Sequence, residues 1–200
     1  SYMNTGSNSN AINSVIIAGI GIFIGYFYTA KPIKLSSLYG LGELSIFLAF
    51  GPLLTLGTGF AISSDTIPLY SQEFYNLILI GVPLGLLTTN ILFINQFPDY
   101  TSDKKVGKNN LVVLLGKKNS RWIYGLNLLL ATASLFEIAN RTTDNILYYL
   151  VPIVIINSLF LFIGLMKNYD KRTLVKYNIQ TIYFHMFFSF IYMIILGNFQ

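Results

Sequence analysis

Apolar residues along this chain fall into six long runs, at 11–27, 44–62, 76–96, 122–139, 146–166 and 179–197, separated by short polar connections. Each run approaches the roughly 20 residues that an α-helix needs to cross a bilayer. The runs are continuously apolar and do not alternate as the strands of a lipid-facing barrel must. The pattern therefore predicts an all-α polytopic transmembrane bundle of six helices. Gly19, Gly21 and Gly25 in the first run, and Gly81 and Gly85 around Pro83 in the third, predict close approach between neighbouring helices. The third connection, 97–120, is too long and too patterned for a simple turn and is expected to hold short structure of its own. Pro98 lacks an amide hydrogen, so it disfavours continuation of the third helix and fits the first turn of a new one.

Composition supports the membrane reading. Of the 200 residues 54% are hydrophobic and only 10% are charged, against about 25% charged in a soluble domain. The absence of cysteine excludes a disulfide framework, a thiolate metal site and a cysteine nucleophile. The formal charge of +5 is more informative by position than by size. Twelve of the thirteen basic residues lie in the first, third and fifth connections, and only Arg141 lies on the other side. Basic residues mark the cytoplasmic face, so an integral membrane protein is expected, in the plasma membrane, with the third connection cytoplasmic and both ends of the chain outside. This charge then serves topology, and nucleic acid is not an expected partner. Residues 1–10 are polar, with neither an initiator methionine at position 1 nor a cleavable signal pattern; they read as a loop entering the first helix, so further residues are expected upstream.

The densest chemistry follows the third run. Asn95, Asp99 and Asp103 recur every four residues, and Lys104, Lys105 and Lys108 come next. Wherever helical geometry persists, that spacing sets the three side chains on one face. Carboxylates four apart can each give an oxygen to magnesium, with Asn95 adding a neutral oxygen, and magnesium prefers phosphate oxygens and water as its remaining ligands. The lysines would then offset phosphate charge. An ordinary solvated loop is the competing reading, and for a bare DxxxD pattern it is the stronger one.

The wider pattern resembles the UbiA superfamily of intramembrane prenyltransferases. Those proteins carry NxxxDxxxD, then Gly-Lys or Gly-Arg, then an apolar stretch ending in Leu-Gly, matched here by Asn95, Asp99, Asp103, Gly107, Lys108 and residues 111–116. A second match, Tyr28-Thr29-Ala30-Lys31-Pro32 with Tyr39-Gly40-Leu41-Gly42-Glu43, is similar to the branch that prenylates dihydroxynaphthoate in menaquinone synthesis. Asn110 stands where relatives usually have threonine, and Pro98 where they often have arginine. Family members typically have nine transmembrane helices, and these six look like the fourth to ninth. Residues 1–200 are thus expected to form a partial domain. A first aspartate-rich motif is expected from an upstream segment or a partner chain.

The resemblance implies transfer of an isoprenoid chain from a prenyl diphosphate to an aromatic quinone precursor, by magnesium-assisted ionisation to an allylic carbocation. It implies Asp99 and Asp103 as catalytic metal ligands with Asn95 beside them, and Lys108 as a phosphate contact. Tyr28 and Lys31 are substrate-binding candidates, with an interfacial aromatic anchor as the alternative role for Tyr28. Glu43 is a candidate for positioning the acceptor or for a structural cap. His185, the only histidine, lies in an apolar run and reads as a hydrogen-bonded packing residue. Haem O synthase and archaeal lipid-ether prenyltransferase share the expected fold and diphosphate chemistry. A catalytically inert membrane subunit is the alternative outside enzymology.

Overall fold

A computed structural model describes residues 3–142 and 146–197. Among them are seven α-helices and no strand: α1 (Met3–Thr29), α2 (Leu41–Phe50), α3 (Pro52–Ile62), α4 (Gln72–Lys105), α5 (Leu111–Arg141), α6 (Ile146–Asn168) and α7 (Leu174–Gly197), with a 3-10 turn at Leu35–Ser37. Six spans are long and apolar enough to cross a membrane, because α2 and α3 together make one, Leu41–Ile62. The second apolar run is therefore broken where the sequence predicted one helix. The cause is Gly51-Pro52: Gly51 leaves the helical region (φ −124°, ψ −108°), and Pro52 opens α3 at a position where its missing N–H is no loss.

That break lets α2 and α3 lie close against α4. A Cβ placed on Gly81 would sit 2.6 Å from the Gly51 backbone, and one on Gly85 would sit 2.5 Å from the Phe47 carbonyl oxygen. Backbone thus meets backbone, and Thr55 Oγ1 crosses the contact to donate to the Leu77 carbonyl at 2.7 Å. In bilayers such close packing and interhelical hydrogen bonds replace the hydrophobic drive that water supplies elsewhere. Gly81 and Gly85 meet the expectation of close approach. Gly19, Gly21 and Gly25 differ, since a Cβ on any of them would meet no described atom within 4 Å.

Helix α4 is the central element, packing on α2, α3, α5 and α7. Its Leu87, Phe93, Ile94 and Phe97 are buried with Tyr124, Leu128 and Leu135 of α5, Leu161 and Leu165 of α6, and Phe188 and Tyr192 of α7. Polar side chains inside the bundle find partners across helices. Asn90 donates to the Tyr124 carbonyl at 3.1 Å and accepts from Asn127 at 2.9 Å. Tyr124 Oη pairs with Thr181 Oγ1 at 2.8 Å, and His185 Nε2 lies 2.9 Å from Thr88 Oγ1, in keeping with a packing role for the histidine. Outer faces carry exposed Ile16, Ile22, Leu129, Ile156 and Phe187, as a lipid solvent requires.

Helix α4 also departs from expectation at its far end. It runs through Pro98 to Lys105 without ending, so the motif is helical throughout and the true connection is 106–110. Proline removes one ladder hydrogen bond, the one to the carbonyl of Ile94 four residues back, and the packing of buried Phe93, Ile94 and Phe97 holds the helix through it. The expected short structure beyond it is present: Gly116, at φ 74° and ψ 152°, separates a first stretch of α5 at 111–115 from its long remainder.

Candidate functional site

Because α4 continues past Pro98, Asn95, Asp99 and Asp103 share one face over two turns. Asn95 is exposed, and its Oδ1 accepts from Asn178 Nδ2 of α7 at 2.9 Å. Asp99 is exposed, and no hydrogen bond or ion pair reaches its carboxylate among the described residues. Asp103 is the constrained member of the pair. Its Oδ2 accepts from Asn110 Nδ2 at 2.7 Å and from Lys108 Nζ at 3.1 Å.

The local chain explains this clasp. Lys104 and Lys105 end α4, where cations suit the helix dipole. Gly107 follows at φ 72°, a left-handed conformation that closes helices when glycine occupies it. Its amide donates to the Lys104 carbonyl at 3.3 Å, and the Lys108 amide donates to the Asp103 carbonyl at 2.9 Å. This paired closure reverses the chain and returns the Lys108 side chain to Asp103, so the Gly-Lys pair of the sequence motif is a helix stop that aims an ammonium. Asn110 then starts α5, its Oδ1 accepting from the Val113 amide at 2.9 Å. One buried side chain thereby caps α5 and orients Asp103. Asn110→Ala should cost about 1 kcal/mol of stability for the lost cap, whereas Asn110→Thr should recover the cap without the bond to Asp103; thermal unfolding in detergent measures both.

Two further elements hold the loop. The Asn109 amide donates to the Ser37 carbonyl at 3.2 Å, which joins the first connection to the third. Glu43 of α2 is buried, and its Oε1 accepts from Gln96 Nε2 of α4 at 2.8 Å and from the Leu111 amide of α5 at 3.0 Å. Lys104 and Lys117 both lie over the Tyr100 ring, at 5.8 and 5.7 Å from its centre, and Lys117 also pairs with Asp170 at 2.9 Å. Lys108 is thus the lysine of the motif that the fold brings to a carboxylate.

Tyr28 is half-buried at the end of α1, and Lys31 is exposed just beyond it. Among the described residues no hydrogen bond or ion pair joins either to Asp99 or Asp103. Tyr28 instead lies within electrostatic reach of Glu43, and the connection that follows it meets the motif loop through the contact of Ser37 with Asn109. The roles of Asn110, Asn178 and Gln96 were not read from the sequence. An asparagine just before an apolar helical run is a recognisable N-cap signal, so half of what Asn110 does was accessible; the others depend on helices distant in the chain.

No cluster of three or more His, Asp or Glu side chains lies among the described residues. The donor set is two carboxylates, one of them unengaged and the other held by one oxygen. That set suits magnesium, which is commonly bound through one or two carboxylates with water and substrate phosphates completing its octahedron.

The UbiA prenyltransferase family model matches residues 10–191. Over 172 residues the chain is 30% identical to UbiA prenyltransferase domain-containing protein 1 of Dictyostelium discoideum, covering 86% of this chain and 49% of that protein. Over 110 residues it is 34% identical to 1,4-dihydroxy-2-naphthoate octaprenyltransferase of Escherichia coli, covering 55% and 33% respectively. A 2-carboxy-1,4-naphthoquinone phytyltransferase of Synechocystis is 36% identical over 103 residues, 51% of this chain and 31% of that protein. The chain thus spans a third to a half of the length of these relatives. No solved structure matches it significantly. With a match that runs from α1 into α7 and takes in the clasped aspartate motif, the chain belongs to the UbiA prenyltransferase family.

Proposed function

We propose that this chain carries part of the catalytic apparatus of an intramembrane prenyltransferase that moves an isoprenoid chain from a prenyl diphosphate to a hydroxynaphthoate-type acceptor. The observation that carries this reading is the pair Asp99 and Asp103, on one helical face and beside an ammonium, at the mouth of an apolar bundle. Naphthoate-directed transferases among its relatives support the acceptor class. The concentration of twelve of thirteen basic residues on the motif's side supports a cytoplasmic orientation of the motif.

Asp99 and Asp103 would hold magnesium, with Asn95 adjacent. When bound, the cation would neutralise the diphosphate and so stabilise it as a leaving group. Lys108, already within 3.1 Å of Asp103, places a second positive charge where diphosphate oxygens would lie. As the allylic carbon–oxygen bond breaks, a carbon–carbon bond forms to the acceptor ring, which loses a proton or its carboxyl group as carbon dioxide. The apolar helices exclude water that would otherwise capture the cation, and aromatic faces can stabilise it.

The full-length protein, reconstituted with several prenyl diphosphates and 1,4-dihydroxy-2-naphthoate, should form prenylated product only when magnesium is present. Chelation should abolish turnover and added magnesium restore it, as read by product chromatography. Absence of product under conditions where an active relative works would refute the reading.

A further inference from the structure

Glu43 is the least compensated charge inside the bundle. It is only 4% exposed. Its Oε1 is doubly engaged by Gln96 and Leu111, yet its Oε2 is buried with no partner. The neighbouring Gln96, also 4% exposed, has a buried Oε1 with no partner either. No lysine or arginine forms an ion pair with Glu43 among the described residues. Two adjacent side chains thus each leave a hydrogen-bond acceptor unmet, and one of them bears a negative charge. Buried polar groups are ordinarily paired, so such a site calls for a donor.

A cavity of about 240 Å³ adjoins Glu43. It lies between α2, α4 and α5, with Phe47, Phe93, Leu111 and Ile123 in its walls and Glu43, Thr89 and Asn127 as its polar members. Its size is that of a small fused aromatic ring system and not of a polyisoprenoid chain. Flat aromatic walls with one or two placed polar groups are what orient a ligand of that kind. The pair also lies close to the reaction centre. The Leu111 amide that binds Glu43 follows directly on Asn110, which holds Asp103.

We infer that the unpaired oxygen of Glu43, held in place by Gln96, receives a hydroxyl group of the aromatic acceptor, whose rings occupy the cavity between α2, α4 and α5. This rests on the prenyl-transfer reading above and adds the acceptor subsite to it. A carboxylate at this point repels the acceptor's own carboxylate, so the acceptor enters with a hydroxyl toward Glu43 and its acidic group elsewhere. A site built to bond a hydroxyl also discriminates strongly against an analogue that lacks the donor.

Glu43→Gln is the decisive variant, because an amide keeps the acceptor oxygen used by Gln96 and Leu111 while removing the charge. It also turns the unpaired oxygen into a donor. In the full-length reconstituted protein, the thermal midpoint should be unchanged or higher, while the KM for 1,4-dihydroxy-2-naphthoate rises at least about tenfold. The KM for prenyl diphosphate and the magnesium titration should stay as in the wild type. Calorimetric binding of 1,4-dihydroxynaphthalene in nanodiscs, which needs no turnover, should weaken by a similar factor, and its dimethyl ether should not bind to the wild type. Equal acceptor binding by wild type and variant would overturn the inference and leave that oxygen to water. A joint rise in both KM values would also overturn it, showing that Glu43 acts only through the Asp103 loop. Failure of the wild type to prenylate any acceptor would instead strike at the prenyl-transfer reading, and the binding measurement would still decide the subsite.

Discussion

Asp99→Asn and Asp103→Asn should each abolish magnesium-dependent prenyl transfer in the full-length protein while the bundle stays folded. The two positions are unequal in structure. Asp99 is exposed and unengaged among the described residues, so its replacement removes a charge without disturbing any contact. Asp103 loses its ion pair with Lys108, although the amide oxygen of asparagine can still accept from Asn110. That ion pair is partly exposed, and such pairs contribute about 1 kcal/mol or less. Stability should hence shift little in either case. Activity should fall by about 10² to 10³ or more, the range seen when a single preorganised electrostatic group is removed from a reacting centre. Single-turnover product formation across a magnesium series, beside thermal unfolding of each variant, separates these effects. Transfer at the wild-type rate by either variant would sink the assignment of the metal-binding pair.

Gly81→Val should have the largest effect on folding. Its Cβ would meet the Gly51 carbonyl group at 2.6 Å and Thr55 Oγ1 at the same distance. The Gly51 neighbour is backbone, which cannot rotate aside as a side chain can. Overpacking of a tight core costs about 1–3 kcal/mol, and this contact should lie at the upper end or beyond. The damage would reach the candidate site, since α2 carries Glu43 and is held to α4 by this crossing. A useful contrast is Gly59→Ala, where the nearest atoms belong to the Leu77 side chain, which can adopt another rotamer. Thermal unfolding in detergent should rank Gly81→Val well below Gly59→Ala.

Pro98 illustrates how local rules and tertiary structure divide the outcome. Proline argues for a helix boundary on backbone grounds alone, yet α4 runs on to Lys105. It is this continuation that sets Asn95, Asp99 and Asp103 on one face, the relation their spacing already implied for a helix. The break at Gly51-Pro52 shows the reverse. Its residues signal an interruption inside an apolar run, but hydropathy counts apolar length and passes over it. Among the glycines, those of α4 pack against α2 and α3, while those of α1 meet no described neighbour; sequence marks a small residue but cannot say what lies opposite it.

What the sequence by itself determined is whatever depends on transfer between water and lipid or on residues close in the chain. Six apolar runs dictate spans, basic connections favour one orientation, and i, i+4 spacing aligns the aspartate motif. Gly107 before Lys108 encodes the helix stop that returns an ammonium to Asp103. Only the tertiary structure decided which distant groups complete the site. Asn178 reaches Asn95 across 83 positions, Glu43 reaches Leu111 across 68 and Gln96 across 53. Such pairings arise from helix packing, which brings together residues that no periodicity relates. The unmet oxygens of Glu43 and Gln96 are visible only once that packing has removed the water around them.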